Sequence, residues 1–227
     1  MVLIVGGVLV LGLIILPQFW VKKVFAEFQV EREDFPGTAG QFAEHLIEQF
    51  SIENAKVTLS DSVNHFDPES RTVALVPEYY HGRSLTALTV AAHEVGHLIQ
   101  ADQGNIWLRL RTWLIVLSQK LERLGAVALL IMPFATILTR SPVVMVLLTG
   151  AGLSGMLMRV ATHLITLPME LDASFGKALP LLKAGNFISE TDEPNSRRIL
   201  WAAALTYVSS ALSSLLSLAN WIRILRR

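Results

Sequence analysis

The chain has 227 residues, of which 52% are hydrophobic and 17% are charged, and its formal net charge is zero. Soluble domains carry about 45–50% apolar and about 25% charged residues, so this composition is shifted toward the apolar side. The even charge balance argues against a nucleic-acid partner, which needs a basic face. The absence of cysteine excludes disulfides, thiolate zinc sites and a cysteine nucleophile.

An apolar stretch over residues 2–16 opens the chain and is followed by Trp20, Lys22 and Lys23. As a helix that continues to residue 21, it is about 30 Å long, enough to cross one hydrocarbon core. A cleaved signal peptide would need a basic region before the apolar one and a small-residue cleavage site, and neither is present. We therefore predict a transmembrane anchor over residues 1–21.

A mixed segment over residues 22–123 comes next. Apolar residues at helical spacing predict a helix over residues 39–50. Residues 57–59 and 71–76 favour strands and are separated by turn-forming residues, which predicts a short β-hairpin or edge strand. A second helix is predicted over residues 84–101.

Two uncharged stretches, residues 124–139 and 143–158, are separated by Arg140-Ser141-Pro142. This pattern predicts a transmembrane hairpin within residues 124–167. Its first arm has only sixteen uncharged residues, which implies local thinning of the bilayer or snorkelling by Arg140.

Two further helices each allow two interpretations. Residues 107–123 mix tryptophan and leucine with arginine and lysine, which fits a helix at the membrane surface or an amphipathic core helix. Residues 200–219, within a C-terminal apolar segment 200–227, form either a fourth span or a packed helix. The sequence thus predicts a mainly α membrane protein with about three to four transmembrane helices and a connecting segment over residues 168–199.

The helix over residues 84–101 contains His93-Glu94-Val95-Gly96-His97. Residues four apart share a helix face, so both imidazoles can reach one ion, and zinc binds neutral histidine nitrogen. Glu94 then lies beside the ion without coordinating it and can take a proton from a bound water. We predict one zinc ion held by His93 and His97, with Glu94 as general base and residues 22–123 as the catalytic segment. Gly96, unfavourable inside a helix, predicts a close backbone neighbour.

A third zinc ligand must come from elsewhere in the chain. The metzincin pattern would place glycine at 100 and histidine at 103, but both positions are glutamine, which excludes that class. The favoured ligand is Glu170, an acidic residue at the end of an apolar helix and beside small residues, which makes residues 168–199 the third-ligand segment. Less favoured candidates are His163, Glu190, Asp192 and Glu193.

Four further sequences accompany the histidine motif: His65-Phe66-Asp67-Pro68, Tyr80-His81-Gly82-Arg83-Ser84, Pro168-Met169-Glu170-Leu171-Asp172-Ala173-Ser174 and Ala203-Ala204-Leu205-Thr206-Tyr207-Val208. Together with Ala91 to His97 they resemble the bacterial neutral zinc metallopeptidases (the YugP-like family) over nearly the whole chain. The resemblance implies a zinc metalloendopeptidase of the glutamate-zincin (gluzincin) kind in the bacterial plasma membrane. It also implies a zincin-like α+β catalytic portion and Glu170 as third ligand.

The chain is similar, more distantly, to membrane peptidases that follow His-Glu-x-x-His with a later Glu-x-x-x-Asp. Here the last position is Ser174, so the residue that orients a ligand histidine is either Asp172 or Ser174. His163, Tyr207 and His81 are candidate donors to the oxyanion, although a structural role is the simpler interpretation for each.

Positive charge indicates the orientation in the membrane. Lys22, Lys23 and four basic residues between 109 and 123 flank the catalytic segment, whereas only Arg140 lies in the opposite loop. Because basic residues stay inside, we expect a multi-pass protein whose catalytic site faces the cytoplasm. A fourth span conflicts with this rule, since it would place Arg223, Arg226 and Arg227 outside.

The expected substrate is a peptide or a membrane protein, bound in extended form along the strand over residues 71–76. Expected partners are the lipid bilayer and either another membrane protein or a second copy of the chain. The alternative function is a zinc-binding membrane scaffold or inactive protease relative, which would have no need of Glu94.

Overall fold

The computed structural model describes residues 2–225, and within them the side chains of residues 12–220, 222 and 223. The chain divides into two compact units. We call residues 15–108 and 168–206 the sheet unit, and residues up to 14, 109–167 and from 207 onward the helical unit. Met1, Arg226 and Arg227, which figure in the predictions of an anchor and of orientation, lie outside the described residues.

The described chain is mainly helical, as predicted, with a small sheet. Its helices are α1 (Val2–Glu27), α2 (Ala39–Gln49), α3 (Pro77–Tyr80), α4 (Leu85–Asp102), α5 (Ile106–Thr139), α6 (Pro142–Leu171), α7 (Leu179–Ala184) and α8 (Glu193–Leu225). A π-helical segment, Asp172–Ala178, joins α6 to α7.

Three short strands form one sheet in the order β1-β3-β2, where β1 is Lys56–Leu59, β2 is His65–Asp67 and β3 is Thr72–Leu75. The predicted pairing of residues 57–59 with 71–76 as a hairpin is wrong, because β1 pairs with β3 in parallel. The antiparallel hairpin is formed by β2 and β3, and β2 lies in the stretch interpreted as turn-forming residues. Because β3 has a neighbour on each side and all four of its residues are buried, the prediction that a peptide binds along residues 71–76 is wrong. Only β1 and β2 have an open edge in the described sheet.

Helix α4 is the centre of the sheet unit. It begins at Ser84, whose hydroxyl accepts a hydrogen bond from the backbone nitrogen of Ala87 at 3.1 Å and so caps the first turn. Fifteen of its eighteen residues are buried, as expected for a helix that other elements cover on nearly every side. Among its fully buried neighbours are Leu46 of α2, Leu75 of β3 and Leu182 of α7.

Three described helices are long and apolar enough to cross a membrane: Ile106–Thr139, Pro142–Ala184 and Glu193–Asn220. Four large apolar side chains near the end of α5 are between 71% and 86% exposed: Leu130, Phe134, Ile137 and Leu138. Exposed apolar faces of this kind suit contact with lipid rather than water.

Helix α5 differs from the sequence prediction, because the stretches 107–123 and 124–139 form one helix rather than a surface helix followed by a short arm. A helix of 34 residues is about 50 Å long, more than the hydrocarbon core of about 30 Å. Its uncharged part is still residues 124–139, so thinning of the bilayer or snorkelling by Arg140 stays a prediction. Residues 200–219 lie within α8. The anchor predicted over residues 1–21 falls on α1, which continues to Glu27. It stays a prediction, since the side chains before residue 12 are not described.

Candidate metal centre

Two helices bring the predicted ligands together. His93 and His97 lie one turn apart on α4, and Glu170 lies in the last turn of α6. Oε2 of Glu170 is 3.2 Å from Nε2 of His93 and 3.3 Å from Nε2 of His97. Among the described residues, these three form a group whose possible ligand atoms all lie within 4.8 Å of one another.

The distances from the Glu170 oxygen to the two histidine nitrogens fit a zinc ion. Tetrahedral zinc with bonds of about 2.0–2.1 Å holds its donor atoms about 3.3–3.4 Å apart. The two nitrogen–oxygen separations of 3.2 and 3.3 Å agree with that value. Two imidazoles and one carboxylate also form a donor set that zinc binds in catalytic sites, where the fourth position stays open for water or substrate.

Burial and charge set the protonation of the site. Glu170 is 1% exposed and His97 is 4% exposed, so little water separates the two groups. Burial lowers the pKa of His97, but the charges of Glu170 and Glu94 and the hydrogen bonds to Glu170 and Gln100 raise it, and the net effect is a raised pKa. A metal ion therefore competes with a proton for this imidazole.

The Nδ1 atoms of the two histidines have different partners. The hydroxyl of Ser174 is 3.1 Å from Nδ1 of His93. Nδ1 of His97 is 3.0 Å from Oε1 of Gln100, and Nε2 of Gln100 donates to Asp172 at 2.7 Å. Of the two residues that we considered as orienting partners, Ser174 contacts a ligand directly and Asp172 reaches the other through Gln100.

Gln100 is the site residue that the sequence interpretation missed. It served there only to exclude the metzincin pattern. The available signal was its position three residues after His97 within an otherwise apolar stretch, since an uncharged amide on a buried helix needs polar partners.

Glu94 follows His93 on α4 and is 8% exposed. Its charge is one of the causes that raise the pKa of His97. It does not belong to the three-residue ligand group.

Gly96 lies between the two histidines and faces the π-helical segment. A Cβ added there would lie 2.7 Å from the carbonyl oxygen of Ala173, closer than atoms in contact allow. The predicted close backbone neighbour of Gly96 is therefore confirmed. Only glycine at this position lets α4 approach the segment that carries Asp172 and Ser174.

The structure does not bring the less favoured ligand candidates into the group. Asp192 accepts hydrogen bonds from the Arg32 guanidinium at 2.6 and 3.0 Å, and Glu193 forms an ion pair with Lys183. Glu190 is exposed, and so is His81, whose ring packs edge-on against Tyr80. His163 and Tyr207 belong to the helical unit, and their roles as donors stay predictions.

Comparison with known proteins shows the family of the chain. Residues 1–226 match the family described as "Putative neutral zinc metallopeptidase". The chain belongs to this family. It is also 32% identical over 221 residues to the "Putative membrane protease YugP" of Bacillus subtilis (strain 168), which covers 94% of this chain and 92% of that relative. No solved structure matches the chain. Membership in this family confirms the resemblance found in the sequence.

Proposed function

We propose that the protein is a membrane-bound zinc metallopeptidase that hydrolyses peptide bonds with Glu94 as general base. The observation that carries this proposal is the convergence of both Nε2 atoms, at 3.2 and 3.3 Å, on one carboxylate oxygen of Glu170. The family's description and the membrane protease among its relatives support the same reaction class.

His93, His97 and Glu170 are the residues that would hold the zinc ion. When bound, zinc supplies a water of lowered pKa and an electrophile for the scissile carbonyl. Ser174 and Gln100 hold the far sides of the two imidazoles. The burial of Glu170 keeps the local dielectric low, which strengthens the interaction of its charge with a cation.

Glu94 would move the proton. Successive residues of a helix point about 100° apart, so its carboxylate flanks the imidazole pair instead of joining it. There it accepts a proton from the attacking water and can later deliver that proton to the amine that leaves. A neutral glutamine of the same shape can do neither.

The catalytic portion is proposed to be zincin-like, with the β2–β3 hairpin beside the motif helix α4. Helix α5 and most of α6 lie between α4 and Glu170 in the chain. Because His97 and Glu170 are in contact, two crossings by these helices return the chain to the side that it left. With the basic residues around the sheet unit kept inside, that side is the cytoplasm and the protein is multi-pass.

The proposed substrates are peptides or membrane proteins that reach the sheet unit from the cytoplasm or the bilayer surface. Since β3 is covered on both sides, an extended substrate can add only to β1 or β2. A second copy of the chain or another membrane protein is a proposed partner.

The decisive experiment compares wild type with Glu94→Gln in detergent, after metal analysis has shown equal zinc content. We expect hydrolysis of casein or of a membrane substrate to fall about 10²–10⁴-fold in the variant, the usual contribution of a general base. Asp102→Asn is the matched control, because Asp102 lies on the same helix but pairs with Arg71 at 2.7 Å. Equal cleavage by wild type and Glu94→Gln would refute the proposed base. Stoichiometric zinc without hydrolysis of any peptide would instead favour the scaffold.

A further inference from the structure

The side chain of Gln100 is completely buried and uses both ends of its amide. Its Nε2 lies 3.0 Å from the carbonyl oxygen of Met169 and 2.7 Å from Oδ2 of Asp172. Its Oε1 lies 3.0 Å from Nδ1 of His97. With 0% of the residue exposed, water cannot replace any of these partners without rearrangement of the helix packing.

The partners decide which way the amide points. A backbone carbonyl and a carboxylate can only accept hydrogen bonds, so the group between Met169 and Asp172 must be the amide NH₂, which has two hydrogens to donate. Rotating the amide by half a turn would place its oxygen against two other oxygens and leave both acceptors unpaired in a buried site. The oxygen of Gln100 is therefore the atom that faces His97.

This orientation fixes the tautomer of His97. An amide oxygen can only accept, so Nδ1 of His97 must carry a hydrogen, and in the neutral ring Nε2 then has a free lone pair. That lone pair is on the side of Glu170, where Nε2 lies 3.3 Å from Oε2. His93 differs, because the hydroxyl of Ser174 can donate or accept and so holds the ring without selecting a tautomer.

We infer that Gln100 is a positioning residue that locks His97 in its metal-binding tautomer, and that Asp172 locks Gln100. The inference rests on the proposed function, in which His97 is a zinc ligand. Partners behind a ligand histidine commonly change metal affinity by about 10–100-fold when they are removed. Here the partner is an uncharged amide whose direction is set by a carboxylate 72 residues away in the chain.

The test measures zinc affinity by competition with a chelator and, separately, the imidazole N–H proton resonances of zinc-loaded protein with ¹⁵N-labelled histidine. Gln100→Leu removes the acceptor, and we expect the zinc dissociation constant to rise about 10–100-fold. Gln103→Leu is the matched control: Gln103 directly follows the last residue of the same helix, and its amide oxygen accepts from Lys177 rather than from a histidine of the site. We expect its zinc affinity to equal that of wild type.

A second pair of variants keeps the test decisive if Gln100→Leu does not fold. Gln100→Glu, combined with Asp172→Asn, retains an oxygen facing His97 and exchanges donor and acceptor between residues 100 and 172, while the Met169 carbonyl loses its donor. Because a charged acceptor makes a shorter hydrogen bond, one imidazole N–H resonance should move downfield relative to wild type. Gln103→Glu should move none.

Two results would overturn the inference: wild-type zinc affinity in Gln100→Leu, or identical N–H resonances in wild type and in Gln100→Glu/Asp172→Asn. A wild type that binds no zinc would overturn both the inference and the proposed function. A wild type that binds zinc and cleaves no peptide would sink only the proposed function, since neither readout depends on hydrolysis.

Discussion

At the scale of single residues, the buried carboxylate of Glu170 decides how the two imidazoles behave. Burial lowers the pKa of His97, but the charge of Glu170, together with that of Glu94 and the hydrogen bonds to Glu170 and Gln100, raises it above the ordinary histidine value. Without metal, the protonated ring and the carboxylate form a favourable buried pair. With zinc bound, the same ring must be neutral. The ion pair of His97 with Glu170 thus stabilises the metal-free protein, and the proton that forms it competes with the metal for His97.

This competition predicts opposite pH trends for the two forms. A raised folded-state pKa stabilises the metal-free protein fully below the unfolded value of about 6.5, and that contribution is lost as pH rises through the raised pKa of His97. Zinc binding must release the proton, so each pH unit below the raised pKa lowers the apparent affinity about tenfold. Thermal unfolding in detergent with zinc or with chelator should show the rise in Tm given by zinc shrinking as pH falls.

Glu170→Gln tests the cause of that trend. It removes the charge that raises the pKa of His97 but keeps the shape of the side chain. We expect weaker zinc binding at every pH and a pH dependence displaced downward, because burial alone lowers the pKa of the ring. An unchanged pH dependence in this variant would contradict the assignment of the shift to Glu170.

At the scale of elements, the site depends on how closely α4 and the π-helical segment approach. A π-helix has more residues per turn than an α-helix and is often found at functional sites. Here it follows Glu170 directly and carries both Asp172 and Ser174. The backbone contact at Gly96 sets the distance between this segment and the histidines.

Gly96→Ala should therefore lower the free energy of unfolding and the zinc affinity, although helix propensity alone predicts stabilisation by about 1 kcal/mol. The new Cβ would lie 2.7 Å from the Ala173 oxygen and 3.3 Å from the Cβ of Lys177. Pushing backbone apart in a packed interior costs about 1–3 kcal/mol and would draw Ser174 away from His93. Gly150→Ala, on α6 where no atom lies within 4 Å of the added carbon, is the control. Higher Tm and wild-type zinc affinity in Gly96→Ala would show that the contact is unimportant.

Sequence patterns predicted those features that depend on residues close together in the chain. Apolar spacing and a capping serine placed α4 within one residue of its observed bounds, Leu85–Asp102, and the fixed geometry of a helix turn placed His93 beside His97. The parallel pairing of β1 with β3 joins strands that are not consecutive, so no local pattern reveals it. The π-helical segment was missed because its composition does not differ from that of an α-helix. Gln100 was missed because its partner Asp172 lies 72 residues away.

At the scale of the whole molecule, the residues of the proposed metal centre come from two parts of the chain. A long insertion in the sheet unit, residues 109–167, separates these parts. The sheet unit consists of residues 15–108 and 168–206, and α5 with most of α6 lies between them in the chain. His93 and His97 therefore precede the insertion, whereas Glu170 follows it. If its two long apolar helices cross the membrane as proposed, they must return the chain to its starting side for His93, His97 and Glu170 to meet.

The absence of cysteine makes the proposed orientation testable by single-cysteine labelling. Ser62 is exposed in the sheet unit, and Ser141 lies in the turn between α5 and α6. If basic residues keep the sheet unit in the cytoplasm, a membrane-impermeant thiol reagent should label Ser141→Cys in intact cells. Ser62→Cys should react only after the membrane is permeabilised, and the cysteine-free wild type supplies the background. Labelling of Ser62→Cys in intact cells, with Ser141→Cys protected, would reverse the orientation and place peptide hydrolysis outside the cytoplasm.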